Sequence, residues 1–237
     1  MRGSIFSLLY DPTYILVIIG AVISMLASFN VKASFNKYSK VGNSRGLSGH
    51  MVAEQILRLS GITDVRVERV SGSLTDHYSP NEKVLRLSES VYDSVSVAAI
   101  GVAAHECGHA VQHHENYAPL GLRSMAVPIS NIGSKLSWPV ILIGLAIGYT
   151  PLAKLGVLLF LFVVFFQLIT LPVEFDASGR AMKILSQNNI LQASELKCAG
   201  KVLTAAALTY VAALFSTILQ LLRLVMIVNG NSRRRSR

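Results

Sequence analysis

The sequence predicts a mainly α-helical membrane protein: about four transmembrane helices, plus a small α+β domain between the first span and the rest. Three observations carry that reading. The 237 residues are 51% hydrophobic and only 15% charged, against about 25% charged in an average soluble domain. Four uncharged runs, Pro12 to Val31, Leu136 to Ala153, Leu155 to Val173 and Val202 to Leu222, approach the ~20 apolar residues that cross a bilayer core as helix. Between the first run and the second, residues 32–124 alternate charged, turn-forming and apolar positions as a water-soluble segment does.

The composition also excludes classes. With a mean hydropathy of +0.48 the chain is neither intrinsically disordered nor a collagen-like fibre. Two cysteines, Cys107 and Cys198, are too few for a disulfide-stapled scaffold. The net charge of +9, from 22 Lys+Arg and 13 Asp+Glu, accompanies no nucleic-acid motif. In an apolar chain it points to anionic headgroups, so the expected partner is the lipid bilayer and not nucleic acid.

The first element is a span over residues 1–31. Asp11 and Pro12 read as its N-cap and first helical residue, and no pair of small residues at its end marks a signal-peptide cleavage site. Residues 32–124 form the water-soluble segment. In it, Leu47 to Leu59 carries Val52, Ile56 and Leu59 at helical spacing, with Ser48 as N-cap and Gly61 as stop. Val65 to Val70 and Val84 to Leu87 read as strands joined by a Gly/Ser/Asp loop. Ser96 to His114 holds no proline and reads as a helix. Residues 125–173 form a membrane hairpin: Pro139, Gly144, Gly148 and Pro151 shorten its first arm, and its tip falls near Thr150–Lys154. Residues 174–201 hold a further helix, opened by Pro172. A last span covers 202–228, and 229–237 is a basic tail.

The helix over Ser96–His114 contains His105-Glu106-Cys107-Gly108-His109, an H-E-x-x-H. Histidines four apart lie on one helix face a turn apart, so both can aim a ring nitrogen at one Zn²⁺. Glu106 sits about 100° round, where it can reach a metal-bound water. Zinc lowers that water's pKa towards 7, and the carboxylate accepts its proton and passes it to a leaving amine. Ala103, Ala104, Gly108 and Ala110 suit a tightly packed active-site helix. The structural alternative is a core helix with two satisfied histidines.

A catalytic site needs a third protein ligand. His113 lies ~6 Å further along the axis than His109, out of reach of a site shared with His105, and His113 and His114 read as a solvated helix end. The long zinc motif with a third histidine six residues on is absent, because position 115 is Glu115. Glu174, in LPVEFDASGRAMKIL, is the better candidate, on a helix face with Ala177, Ser178, Ala181 and Leu185. Asp176 is the weaker one, and a helix N-terminal charge is the structural reading of Glu174. Cys107 reads as a packing residue rather than a fourth ligand.

These residues carry a family likeness. YDPTY, FNKYSKV, GSLTDHY, KVLRLS, SVAAIGVAAHECGHAVQH and LPVEFDAS resemble, almost end to end, the bacterial YugP-type membrane zinc metallopeptidases. More distantly the layout resembles the HtpX and CAAX-processing proteases. The resemblance implies a zincin-like, gluzincin-type endopeptidase. One Zn²⁺ per chain would be held by His105, His109 and Glu174, with Glu106 as base, in a multi-pass protein of the bacterial cell membrane. Its substrate would be a membrane-associated protein or peptide. The chain departs from the pattern twice: Ser178 stands where the distant relatives carry an Asp that orients a zinc histidine, and Ser79 follows DHY where the family carries Asp.

In the DHY loop, His77 and Tyr78 are candidates to stabilise an oxyanion, against plain turn chemistry for Asp76, Ser79 and Pro80. The strand Val84–Leu87 is a candidate to hold extended substrate by edge pairing. Two other functions compete. A site-2-type intramembrane protease would bury the H-E-x-x-H in a spanning helix and add an Asp-Gly ligand, which this chain lacks. A catalytically silent metal-binding scaffold or transporter would need ionisable residues along a path through the spans.

Glu174 meets the histidines only if the hairpin crosses an even number of times, which puts both termini on the side opposite the site. Lys32, Lys37, Lys40 and Arg45 follow the first span and only Arg2 precedes it; Arg180, Lys183, Lys197 and Lys201 join the catalytic side. The positive-inside rule then sets the site in the cytoplasm. Arg233, Arg234, Arg235 and Arg237 argue the reverse, unless the last segment stops short at Arg223.

Overall fold

The computed structural model describes residues 12–235. Asp11, read as the first span's N-cap, lies outside them, as do Arg2 and Arg237. Among the described residues there are seven helices and three strands: α1 (Tyr14–Tyr38), α2 (Gly49–Leu59), β1 (Arg66–Val70), β2 (His77–Ser79), β3 (Val84–Ser88), α3 (Glu89–Tyr92), α4 (Val97–His114), α5 (Ala118–Ala146), α6 (Thr150–Gln187) and α7 (Ala193–Arg235). Four of these helices, α1, α5, α6 and α7, are long and apolar enough to cross a membrane.

The chain divides into two compact units. One comprises Met1–Leu26, Leu122–Thr170 and Tyr210–Arg237; the other comprises Ala27–Gly121 and Leu171–Thr209. In the first, the interior is small: Ile141, Ala153, Phe160, Val164, Leu224 and Val228 form the buried cluster. Glycine lets α5 and α6 approach. A Cβ on Gly133 would stand 2.6 Å from the Leu159 carbonyl oxygen, and one on Gly144 would stand 2.4 Å from the Ala153 nitrogen. Gly144 is thus a contact point between helices, not the breaker its propensity suggests. Accordingly α5 runs from Ala118 through Pro128 and Pro139 to Ala146. It starts inside the stretch read as soluble, and the turn comes slightly earlier than expected, at Gly148 with φ +68°.

The second unit has the larger core, in which Val52, Ile56, Leu85, Leu87, Ile100, Cys107, Leu185 and Ile190 are all at most 1% exposed. It includes the end of α1, which continues past Val31 to bury Phe35 and Tyr38. Likewise α6 passes through Pro172 instead of opening there. Proline removes one N–H and crowds the preceding turn, but Val173, Ala177, Ala181 and Leu185, four apart, are completely buried on one face. That packing outweighs the lost bond.

The sheet order is β1-β3-β2, with β1 parallel and β2 antiparallel to β3. The supposed loop therefore contains a strand, His77–Ser79, paired with Val84–Arg86. This corrects one expectation. Val84–Leu87 belongs to the central strand, and with both sides occupied it offers no free edge for substrate. Asp76 explains the loop's return: its carboxylate accepts from the Ser88 backbone N–H at 2.7 Å and the Ser88 hydroxyl at 3.0 Å.

Candidate metal centre

Helix α4 begins at Ser96, whose hydroxyl oxygen accepts from the Ala99 N–H at 3.2 Å. It ends in a Schellman turn: Tyr117 N–H reaches the Gln112 carbonyl, Asn116 N–H reaches that of His113, and Asn116 takes φ +53°. Between those caps Ala98, Ala99, Ala103 and Ala104 are fully buried, so the helix sits deep in its unit. Against it lies α6. Gly108 faces Ala177 so closely that a Cβ there would stand 2.4 Å from the Ala177 carbonyl oxygen. Glycine is required at the middle of the motif because backbone meets backbone.

That approach brings three side chains together. His105, His109 and Glu174 offer ligand atoms that all lie within 4.8 Å of one another. Glu174 Oε2 is 3.4 Å from His105 Nε2 and 3.6 Å from His109 Nε2. A tetrahedral zinc with bonds of about 2.0–2.1 Å separates its ligand atoms by roughly 3.3–3.4 Å, so the donor set fits that ion in chemistry and in spacing. The imidazoles meet edge to face, with centroids 4.8 Å apart.

Each histidine is fixed through its other nitrogen. His105 Nδ1 is 3.0 Å from the Ser178 hydroxyl, which stands on the side of the ring away from the cluster. His109 Nδ1 is 3.0 Å from Gln112 Oε1. Gln112 is fully buried, and its Nε2 donates to both the Val173 carbonyl and Asp176 Oδ2 at 2.8 Å. Those two acceptors decide which end of the amide is nitrogen, so Oε1 accepts from His109 Nδ1–H and leaves Nε2 with its lone pair towards the cluster. Gln112 also ties α4 to α6 on both sides of Glu174. Sequence reasoning missed it, although its place three residues after His109, on the same helix face, was a signal.

Electrostatics concentrate on this spot. Burial opposes a charged His109, but the Glu174 carboxylate and nearby Glu106 outweigh it and raise the imidazole above its ordinary pKa. Glu106 is itself buried on α4. Burial pushes the Cys107 thiol well above its usual range, and its sulfur points at the Ala53 carbonyl, 3.6 Å away. It packs the helix rather than offering a thiolate. Asp176 stays outside the cluster, held by Gln112 and by Arg180 Nε at 2.5 Å; Arg180 also pairs with Glu115.

The other candidates are placed elsewhere. His77 is exposed, with Nδ1 2.9 Å from the Thr75 carbonyl. Tyr78 bonds through its hydroxyl to His113 Nδ1 at 2.8 Å, and neither joins the three-residue cluster. His113 and His114 are exposed at the helix end. Burial raises the Asp76 carboxyl, the two Ser88 bonds pulling the other way, and its part is to close the loop.

Comparison with known proteins agrees with this geometry. A family profile described as "Putative neutral zinc metallopeptidase" matches residues 13–229. The chain is 49% identical over 209 residues, 88% of its own length and 93% of the relative's, to a Bacillus subtilis (strain 168) protein named "Putative membrane protease YugP". No solved structure matches.

Proposed function

The chain belongs to the neutral zinc metallopeptidase family matched across residues 13–229, and from that premise we propose that it is a multi-pass membrane endopeptidase of the gluzincin type. His105, His109 and Glu174 hold one zinc ion, and Glu106 is the general base. The observation that carries this reading is the near-equal spacing of Glu174 Oε2 from both histidine Nε2 atoms. When bound, zinc supplies Lewis-acid polarisation of the scissile carbonyl and acidifies the attacking water.

The chain's own residues do the rest. Gln112 holds His109 in the tautomer that leaves Nε2 free for metal, and Ser178 steadies His105 through its Nδ1. Glu174 supplies the anionic ligand from a second helix. Glu106 takes the proton from water as its oxygen attacks the carbonyl carbon, then delivers it to the amine as the C–N bond breaks. Tyr78 and His77 remain candidates for the oxyanion donor.

Protein substrates at a membrane surface suit the layout, because the apolar run Leu155 to Val173 leads directly into Glu174 and the named relative is a membrane protease. By the positive-inside rule, the charges flanking the first span support a cytoplasmic setting for the catalytic residues. A site-2-type mechanism is disfavoured, since α4 is not among the four membrane-length helices.

The test is Glu106→Gln in the full chain. Cleavage of an unfolded membrane-protein reporter is expected to fall by a factor of about 10²–10⁴, with zinc content unchanged. Wild-type cleavage by this variant would remove Glu106 from the mechanism. A wild-type protein that retains zinc but cleaves nothing would favour the scaffold.

A further inference from the structure

Away from the metal cluster, a cleft of about 400 Å³ opens between one face of α1 and one face of α7, both within the Ala27–Gly121 and Leu171–Thr209 unit. Its lining follows helical spacing on each side: Asn30, Ala33, Ser34, Lys37 and Tyr38 from α1, and Lys201, Thr204, Ala205 and Leu208 from α7. Tyr38 and Ala205 are buried and form the floor. The lysines are exposed, and the Lys37 ammonium stands 5.5 Å from the Tyr38 ring centroid. No carboxylate lines the cleft.

The sequence explains the chemistry of this lining. Lys37 lies beyond Val31, where the first uncharged run ends, and Lys201 immediately precedes Val202, where the last one begins. Each helix therefore contributes its ammonium from just outside the uncharged run and its small or apolar residues, Ala33, Ala205 and Leu208, from closer to or within it. Two ammoniums with the Ser34 and Thr204 hydroxyls present donors and positive charge, the complement of a phosphodiester. Small residues leave room for the apolar stem attached to it. A free inorganic anion would use the first set and leave the second without purpose.

We propose that this cleft binds the headgroup of an anionic phospholipid, its phosphate between Lys37 and Lys201 and its glycerol and upper acyl carbons against Ala33, Ala205 and Leu208. The assignment is independent of the metal site and of peptide cleavage.

The experiment uses the full chain in bilayer discs of equimolar phosphatidylglycerol and phosphatidylcholine. Lipid retained through detergent extraction is counted by native mass spectrometry. Wild type is expected to retain phosphatidylglycerol over phosphatidylcholine. Lys37→Gln with Lys201→Gln should cut that preference roughly tenfold or more. Lys183→Gln with Lys197→Gln changes the charge equally at exposed lysines that do not line the cleft, and should leave the preference intact. Ala205→Trp fills the floor without changing charge and should also abolish it. Each variant is scored only if it elutes as wild type on gel filtration. Equal loss in both lysine pairs, retention by Ala205→Trp, or displacement of lipid by inorganic phosphate would overturn the assignment.

Discussion

In the unit formed by Ala27–Gly121 and Leu171–Thr209, large apolar side chains point inward, and so do polar groups with partners: Glu174, His109 and Gln112 are all buried and their polar atoms converge. In the other unit the arrangement reverses. Met25, Met125 and Phe165 are 64%, 72% and 56% exposed, while the apolar interior is a six-residue cluster beside glycine contacts and the buried Arg223. The first pattern is that of a chain folding in water, where burying apolar area is the driving force. The second belongs to a chain whose solvent is lipid, where apolar exposure costs nothing and close helix packing does the work. The same residue type consequently has different duties. Glycine at 108 lets two backbones meet beside the His105, His109 and Glu174 cluster; glycine at 144 only lets two membrane-length helices meet.

The comparison can be broken most sharply at the ligands. His105→Ala or Glu174→Ala is expected to lose zinc on dialysis, read by metal analysis of purified protein, because two ligands cannot hold a catalytic zinc. Stoichiometric zinc in the Glu174 variant would move the third ligand to Asp176, and the water-facing unit would lose its central feature.

The glycines provide the next contrast. Gly108→Ala drives a methyl into the Ala177 carbonyl. Overpacking of this kind costs about 1–3 kcal/mol or more, and the shift needed to relieve it separates α4 from α6. We expect lower thermal stability together with weaker zinc retention. Gly144→Ala should destabilise comparably but leave zinc untouched. Equal zinc loss in both would mean that the two units do not differ as described.

Gln112→Leu gives the smallest effect and the finest test. It removes the acceptor for His109 Nδ1 and the link to Val173 and Asp176 while keeping the volume near that of Gln. Zinc affinity, measured by competition with a chelator, should fall about 10–100-fold. A result within twofold of wild type would show that Gln112 packs the helix without orienting the ligand.

Much of the fold could be read along the chain. The helix over residues 96–114 and the strands near 66–70 and 84–88 follow from periodicity, since local spacing decides which face is apolar. His105, Glu106 and His109 declare themselves because their chemistry is set by neighbours four residues apart. The readings at Gly144 and Pro172 failed for one reason: propensity describes an isolated helix, whereas Gly144 is pressed against Ala153 and the buried face of Val173, Ala177, Ala181 and Leu185 carries the helix past an exposed Pro172. The strand His77–Ser79 was hidden because three residues carry no period of their own and exist only through pairing with β3.

What the sequence determined alone was the solvent of each segment and the two histidines of the site, both local properties of composition and spacing. That Glu174 completes the cluster, that Ser178 and Gln112 set the imidazoles, and that β3 has no open edge were decided by the tertiary structure. Glu174 and Ser178 meet His105 across some 70 positions, and Gln112, though near His109 in sequence, is oriented by Val173 and Asp176 more than 60 positions away; only packing fixes such distances.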